Sequence, residues 1–323
     1  MVLFNPLSGW GERLEEIVRV TAPDVLFLAG TQQKVTDRSR GPVKTFTVPG
    51  TRRQVWEWGW ASGGYSNRSC GVSIVLGPRL RRFVSQVYTP PAYLWGRAGA
   101  LRVRAKTVDL LLVSCYLPCR DYGDRTDLSR RDCVQAILAW MYRLIHQSPR
   151  RTLPVIAGDM NAKFGLQKGM YLGADTQVGV PAVKGEESHV SASLREWAAS
   201  LDLRFETTFH STVKSTFFSS TSPATSLIDH VVLPVAAAPL VVNMYTDRRL
   251  MKQLQLIATK APADHCPVVW RMRTNLCFMQ QQQDTRVDMD KLMDAVRERP
   301  LRQPFLAQLE KLCRPHRKKH GKR

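Results

Sequence analysis

Between Gln54 and Tyr116, five short runs of β-branched, aromatic and aliphatic residues crowd together: Gln54 to Trp60, Gly71 to Leu76, Arg82 to Tyr88, Ala100 to Ala105 and Val108 to Tyr116. Turn residues such as Gly63-Gly64 and Pro90-Pro91 separate them. That density predicts an antiparallel or mixed sheet rather than a βαβ array. Trp56, Trp58 and Trp60 alternate as on a strand, which predicts a packed sheet face rather than a base-stacking surface.

Further strands are expected over Met1 to Asn5, Asp24 to Leu28, Thr212 to Phe218, Ser226 to Leu233, Val241 to Tyr245, Gln255 to Ala258 and His265 to Met272. Helical spacing covers Glu12 to Val20, with Leu14, Ile17 and Val20 on one face. It recurs over Asp127 to Gln147, where Val134, Ile137, Leu138, Met141 and Leu144 form a stripe that ends before Pro149. A third helix is expected over Ser191 to Leu201, and a long polar loop over Thr31 to Arg53. Composition shifts near Asn275. The expected organisation is therefore one α/β domain over residues 1–274, a helical linker over 275–312 and a basic tail over 313–323. For the tail, a solvated disordered run, phosphate contact and nuclear import remain as readings.

Of 323 residues, 44% are hydrophobic, enough to bury a large core. Lys and Arg total 47 against 27 Asp and Glu, a net charge of +20 that favours a polyanionic partner, nucleic acid over a membrane surface. The seven cysteines are odd in number and match no zinc spacing, so reduced and mostly buried thiols of a nuclear or cytoplasmic protein are expected. No apolar run reaches the roughly 18 residues of a membrane span, and the N-terminus lacks a signal-peptide plan, so neither secretion nor membrane spanning is expected.

The chemistry is concentrated where apolar runs stop. Val155-Ile156-Ala157-Gly158-Asp159-Met160-Asn161-Ala162 reads as a buried strand that turns at the glycine, with Asp159 and Asn161 projecting together. A carboxylate there accepts a proton from water or holds a cation, and an amide donates to a developing oxyanion. A plain strand end with an Asx-turn is the competing reading. Asn5 ends the first strand, and Ser114-Cys115-Tyr116-Leu117-Pro118 puts a phenol at another strand end. Asp229 lies in the apolar Ser226 to Val232 run, and Asp264-His265-Cys266-Pro267 precedes the last strand. Burying Asp229 requires a partner, for which a histidine is the natural candidate.

Taken in order (Asn, Tyr-x-Pro, Gly-Asp-x-Asn, a strand Asp, then Asp-His-x-Pro) the sequence resembles the endonuclease/exonuclease/phosphatase superfamily, which includes DNase I-like and apurinic/apyrimidinic endonucleases. It looks most like the endonuclease domain of non-LTR (LINE-type) retrotransposons. Support for that subgroup comes from Gly165 after the Gly158 to Ala162 block, Thr207-Thr208-Phe209, and Ser215-Thr216-Phe217 before Asp229. The resemblance implies a four-layer α/β sandwich, two mixed sheets face to face with helices outside. It also implies a DNA phosphodiester hydrolase dependent on magnesium or manganese, acting by nicking or by abasic-site cleavage. By position, Asp159 would orient or deprotonate the attacking water. Asn161 and His265 would bind the scissile phosphate, with Asp229 holding His265 and Tyr116 standing at the phosphate. Asn5 and Asp264 would place the cation. Phe217, Phe218 and Arg120 are the candidates for touching DNA. A monomer, with a reverse transcriptase domain downstream in a parent polyprotein, is the expected context.

The pattern has gaps. Gly30, in Leu28-Ala29-Gly30-Thr31, occupies the place of the family's metal-binding glutamate, which implies weakened metal binding. Cys119 and Pro6-Leu7 depart from the family as well. Two alternatives follow: a DNA-binding remnant of the same fold with impaired catalysis, and a phosphatase of small or lipid phosphoesters.

Overall fold

The computed structural model describes residues 1–6, 10–32, 44–48, 50–61, 70–105, 108–119, 130–165, 177–179, 187, 189–219, 223–257 and 264–273, all within the compact unit Met1–Leu276. The expected linker (275–312) and tail (313–323) lie outside them, as does Arg120. The elements run β1 (Val2–Phe4), α1 (Trp10–Thr21), β2 (Val25–Ala29), β3 (Lys44–Thr47), β4 (Gln54–Trp60), β5 (Val72–Leu76), α2 (Pro78–Arg81), β6 (Val84–Tyr88), β7 (Ala98–Arg104) and β8 (Asp109–Tyr116). There follow α3 (Arg130–Gln147), β9 (Leu153–Asp159), α4 (His189–Ser200), β10 (Leu203–Phe205), β11 (Phe217–Phe218), β12 (Thr225–Ser226), β13 (Asp229–Pro234), β14 (Val241–Thr246), α5 (Arg248–Ile257) and β15 (Val268–Met272).

Two large sheets result, in the orders β14-β15-β1-β2-β5-β4-β3 and β10-β13-β9-β8-β7-β6, with β11 and β12 forming a small hairpin. Both are mixed. The pairs β1–β2 and β8–β9 are parallel, each bridged by a helix, while the other pairs are antiparallel.

Because both faces of each sheet are covered, the central strands are apolar throughout rather than alternating. Three cores follow from this. Leu3, Phe27, Ile74, Leu112, Val155, Val231 and Trp270 fill the seam between the sheets. Leu14, Ile17, Val18, Leu250 and Leu254 join α1 and α5 to the first sheet. Ile137, Met141, Leu194 and Trp197 join α3 and α4 to the second. Each fully buried aliphatic or aromatic side chain stabilises the fold by roughly 1.5–3 kcal/mol, so the layering is set mainly by this burial. The architecture is the four-layer α/β sandwich.

Several local expectations are corrected. Gln255 to Ile257 is not a strand but the last turn of α5: Leu250 and Leu254 are buried at helical spacing, and Asp247 accepts the Leu250 N–H at 2.9 Å. On α1 it is Val18, not Val20, that joins Leu14 and Ile17 in the core; Val20 is exposed. Thr31 to Arg53 is not all loop, since β3 pairs with β4. Thr212 to Phe218 is extended sheet only at Phe217–Phe218. The Ser226 to Leu233 run divides at Leu227–Ile228 because its two parts pair with different sheets. The tryptophans do pack: Trp58 and Trp60 are buried in the seam and Trp56 is half-buried beside it. Cys70, Cys115, Cys133 and Cys266 are buried and reduced, whereas Cys119 is exposed.

Candidate active site

Strand parity delivers the polar residues to one end of the seam. Leu3 of β1 faces the other sheet, so Asn5, two residues on, points the same way. Val155 and Ala157 do the same for Asp159, and Val231 and Leu233 for Asp229. The registers Tyr116↔Asp159 and Asp159↔Asp229 then set three such side chains side by side in the second sheet. Like charges directly opposite one another repel. His265, on the segment leading into β15, supplies the compensation.

Its Nδ1–H donates to Asp229 Oδ2 at 2.9 Å, and its Nε2 lies 4.0 Å from Asp159 Oδ2. The Asn5 Nδ2 amide donates to the same Asp159 oxygen at 2.9 Å and stands 3.5 Å from His265 Nε2. Asp159 Oδ1 accepts the Asn161 N–H at 3.0 Å. The Thr216 hydroxyl oxygen accepts the N–H groups of Ile228 and Asp229, each at 3.1 Å, which fixes the start of β13. Asn5, Asp159, Asp229 and His265 are all buried.

Burial raises the Asp159 carboxyl, and the neighbouring Asp229 raises it further, to about 7, against the opposing pull of His265, the Asn161 N–H and Asn5. Burial alone would depress the His265 imidazolium, but Asp229, then Asp159 and Asp264, hold it up at about 9. Burial also raises Asp264. The site therefore holds more carboxylate than its single imidazolium can balance.

That imbalance is the test for a cation. Asp229 Oδ1 and Asp264 Oδ1 are buried without a hydrogen-bond partner among the described residues. The oxygens of Asp159, Asp229 and His265's neighbour Asp264, with the Asn5 carbonyl, are the hard donors that magnesium or manganese takes. Asp159, Asp229 and His265 also offer ligand atoms within 4.8 Å of one another. The donor set fits a hard divalent ion. Nearby Gly30 has φ +68°, and a Cβ there would meet Asn5 Oδ1 at 2.5 Å. Without a side chain there, Asn5 lies against the glycine.

Of the expected residues, Asn5, Asp159, Asp229 and His265 meet directly, with the buried Tyr116 beside Asp159 in register and the Arg97 guanidinium over its ring at 5.4 Å. Asn161 corrects one reading. The strand ends at Asp159 and Asn161 has φ +47°, so the two side chains do not leave an extended segment together. The Asx-turn is real, and the Asn161 Nδ2 amide donates to Leu117 O at 2.8 Å. Gly158 is likewise required for another reason than a turn: a Cβ there would meet Cys115 O at 2.0 Å, so β8 and β9 approach too closely for any side chain. Phe217 packs edge-on to His265 with centroids 5.3 Å apart, and the Arg248 guanidinium lies 5.3 Å from the Phe218 ring.

Sequence reasoning gave no role of their own to three buried polar residues in and around the site. Thr216 is one. Arg13, buried on α1, donates to Pro6 O at 2.9 Å and Leu254 O at 3.2 Å, gripping the chain just after Asn5, and its charge also reaches Asp264. His230 points to the other side of β13, 3.1 Å from Ala162 O through Nε2 and 3.0 Å from the Thr207 hydroxyl through Nδ1. The signal for Arg13 was a cation on the Leu14 and Ile17 face of an amphipathic helix.

A buried carboxylate–imidazole–carboxylate row at the mouth of a four-layer sandwich defines the DNase I-like class of phosphoester-handling folds. The chain belongs to the Endonuclease/Exonuclease/phosphatase family, which matches residues 2–265. That membership places it among nuclease- and phosphatase-type hydrolases. Its fold is shared with the endonuclease domain of TRAS1, a telomere-specific non-LTR retrotransposon, at TM-score 0.52 and 14% identity over 84% of this chain and 97% of that one. The AP endonuclease LMAP from Leishmania major superposes at TM-score 0.56 and 14% identity, over 84% and 86%. The 3'-5' exonuclease NExo from Neisseria meningitidis does so at TM-score 0.54 and 17% identity, over 84% and 99%. A search of the curated proteins finds no match.

Proposed function

We propose that this chain hydrolyses phosphodiester bonds in DNA, as an endonuclease of the nicking or abasic-site type assisted by magnesium or manganese. The observation that carries the reading is His265 held between Asp229 at 2.9 Å and Asp159 at 4.0 Å, with Asn5 on the same Asp159 oxygen. A base and a cation donor so placed suit attack on a phosphate that is already negative. Asp159, ionised, accepts the proton of the water that attacks phosphorus as the bond to the leaving oxygen breaks. His265, kept charged and oriented by Asp229, faces the non-bridging oxygens together with Asn161, and Tyr116 donates at the same phosphate. Asn5 and Asp264 would hold the metal, which supplies polarisation of a phosphoryl oxygen and charge neutralisation when bound. Phe217, beside the imidazole, and Phe218 would contact the nucleotide. The net charge of +20 supports DNA as the polyanion and the nucleus as the compartment. The shared fold with the TRAS1 endonuclease domain supports a retrotransposon setting, with a reverse transcriptase further along the parent polyprotein.

One observation favours a second reading, a DNA-binding protein with impaired cleavage: Gly30 contributes no carboxylate and Asn5 turns its amide onto Asp159. Purified protein with magnesium or manganese is expected to nick supercoiled plasmid, and Asp159→Ala to abolish the nicking. Binding without nicking would establish the second reading. Undiminished nicking by Asp159→Ala would remove the site from consideration.

A further inference from the structure

The registers that gather carboxylates at one end of the sandwich gather arginines at the other. There Leu76 stands opposite Val25 and Trp56, and Arg104 opposite Asp109. α2 crosses this end between β5 and β6. Arg79 and Arg81 on it, Arg82 after it, Arg52 before β4 and Arg104 at the end of β7 are all exposed. Contacts join three of them, Arg81, Arg82 and Arg104, to the aromatic residues of this end. The Arg81 guanidinium lies 5.7 Å from the Trp56 ring and that of Arg82 lies 4.7 Å from the Phe83 ring. The Arg104 N–H donates to Phe83 O at 2.8 Å. Arg53, half-buried, donates to Pro23 O at 2.6 Å beneath them. Among the described residues the acids at this end do not balance them. Asp24 is exposed, Glu57 is buried, and Asp109 is buried and already paired with Arg102 and Arg151.

We propose that this face is a second nucleic-acid contact surface, taking the phosphate backbone of a segment other than the one in the cleft. β8 runs from one end to the other in 8 residues, which separates the two surfaces by roughly 25 Å. Every cation named here is an arginine, whose planar fork takes phosphate oxygens in pairs and lies flat on aromatic rings. A lipid surface would call for an exposed apolar side chain to insert. Of the exposed large hydrophobics of the described residues, none lies on α2 or on the segments that carry these arginines; Val20 in the last turn of α1 and Val242 at the start of β14 are the two toward the same end. The inference does not rest on hydrolysis, since the surface shares no residue with the cleft.

The test uses the full chain in EDTA, with duplex DNA as probe and Arg79→Ala/Arg81→Ala/Arg82→Ala as the variant. Losing three phosphate contacts is expected to lower the slope of log affinity against log salt by about 2 to 3. The wild type, held on an immobilised duplex, is expected to capture a second labelled duplex, and the variant to fail. The corresponding triple lysine variant, which keeps the charge, is expected to retain most of the slope. An unchanged slope with unchanged capture in the alanine variant would overturn the proposal, as would equal losses in both triples. Loss of binding to phosphatidylserine vesicles with the DNA slope intact would overturn it in favour of lipid. With magnesium restored, nicking of a short duplex by the alanine variant is expected to match wild type. Capture in EDTA with no nicking by the wild type in magnesium would defeat the hydrolytic reading alone.

Discussion

At the end of the sandwich where β1, β8 and β9 stop, carboxylates and an imidazole are enclosed together, whereas at the end where β5 stops and β4 begins, arginines stand in solvent. Segments of the same two sheets supply both. Enclosure sets the first group apart: burial, with Asp229 beside it, lifts Asp159 to about 7. Exposure leaves the second group as fixed, screened charge, suited to long-range attraction rather than to proton transfer. A net charge of +20 thus conceals two kinds of charge cluster, an enclosed acidic one and an exposed basic one.

Four measurements would break or sharpen this contrast. Asp159→Ala should reduce nicking by about 10³-fold, the scale of a lost general base, while the α2 arginines contribute nothing to the same assay on a short duplex. Next in size, Asp229→Ala leaves His265 buried without its partner. It should destabilise the protein by about 4 kcal/mol in urea denaturation; a loss below about 1 kcal/mol would mean that the pair is solvated and the enclosure illusory.

The third concerns acid. His230 is neutral and buried, its imidazole pushed down to about 4 by desolvation. Between the ordinary histidine value and about 4, the unfolded chain binds a proton that the folded chain refuses. The contribution of His230 to stability is therefore complete above about pH 6.5 and falls by about 3 kcal/mol on the way down to pH 4. His230→Gln should remove that part of the pH dependence, and an identical profile in the variant would show that another group is responsible.

Smallest is a pair of glycines, one at each end. Gly30 has φ +68° with Asn5 against it, while Gly50 has φ +72° and nothing within 4 Å. Substituting alanine should cost about 1 kcal/mol at Gly50, for backbone conformation alone, and about 3 kcal/mol at Gly30, where Asn5 must also shift. Equal costs would mean that Asn5 is free to move, and that the closed amide contact with Asp159 is not a barrier to a larger side chain.

Most of the strands were legible because both sheets are buried on both faces, so central strands such as Val25–Ala29 and Asp109–Tyr116 announce themselves as apolar runs, while their stacking into four layers came from the family resemblance. The convergence of Asn5, Asp159, Asp229 and His265 was legible from the order of their motifs, each at an apolar boundary. What escaped was anything decided by tertiary contact. β10 is too short to carry a pattern of its own, and α5 was misread at its apolar last turn, since Leu254-Gln255-Leu256-Ile257 alternates well enough for a strand. Asn161 was misplaced because an aspartate two residues earlier captures its N–H and takes the backbone into the left-handed region. Gly158 was rightly marked as special, but its cause lies on a neighbouring strand that no local reading shows.

β1 lies between β2, which follows it at once, and β15, the last strand of the domain; the Met1 amine donates to Trp270 O at 2.8 Å. Asn5 and His265 consequently arrive from opposite extremes of a fold that must be synthesised almost whole before they can touch. A ribosome-bound or prematurely ended chain that stops short of β15 has its acids but no cleft. On the proposed function, such a topology keeps the hydrolase silent during its own manufacture and lets activity begin with the closing of one sheet.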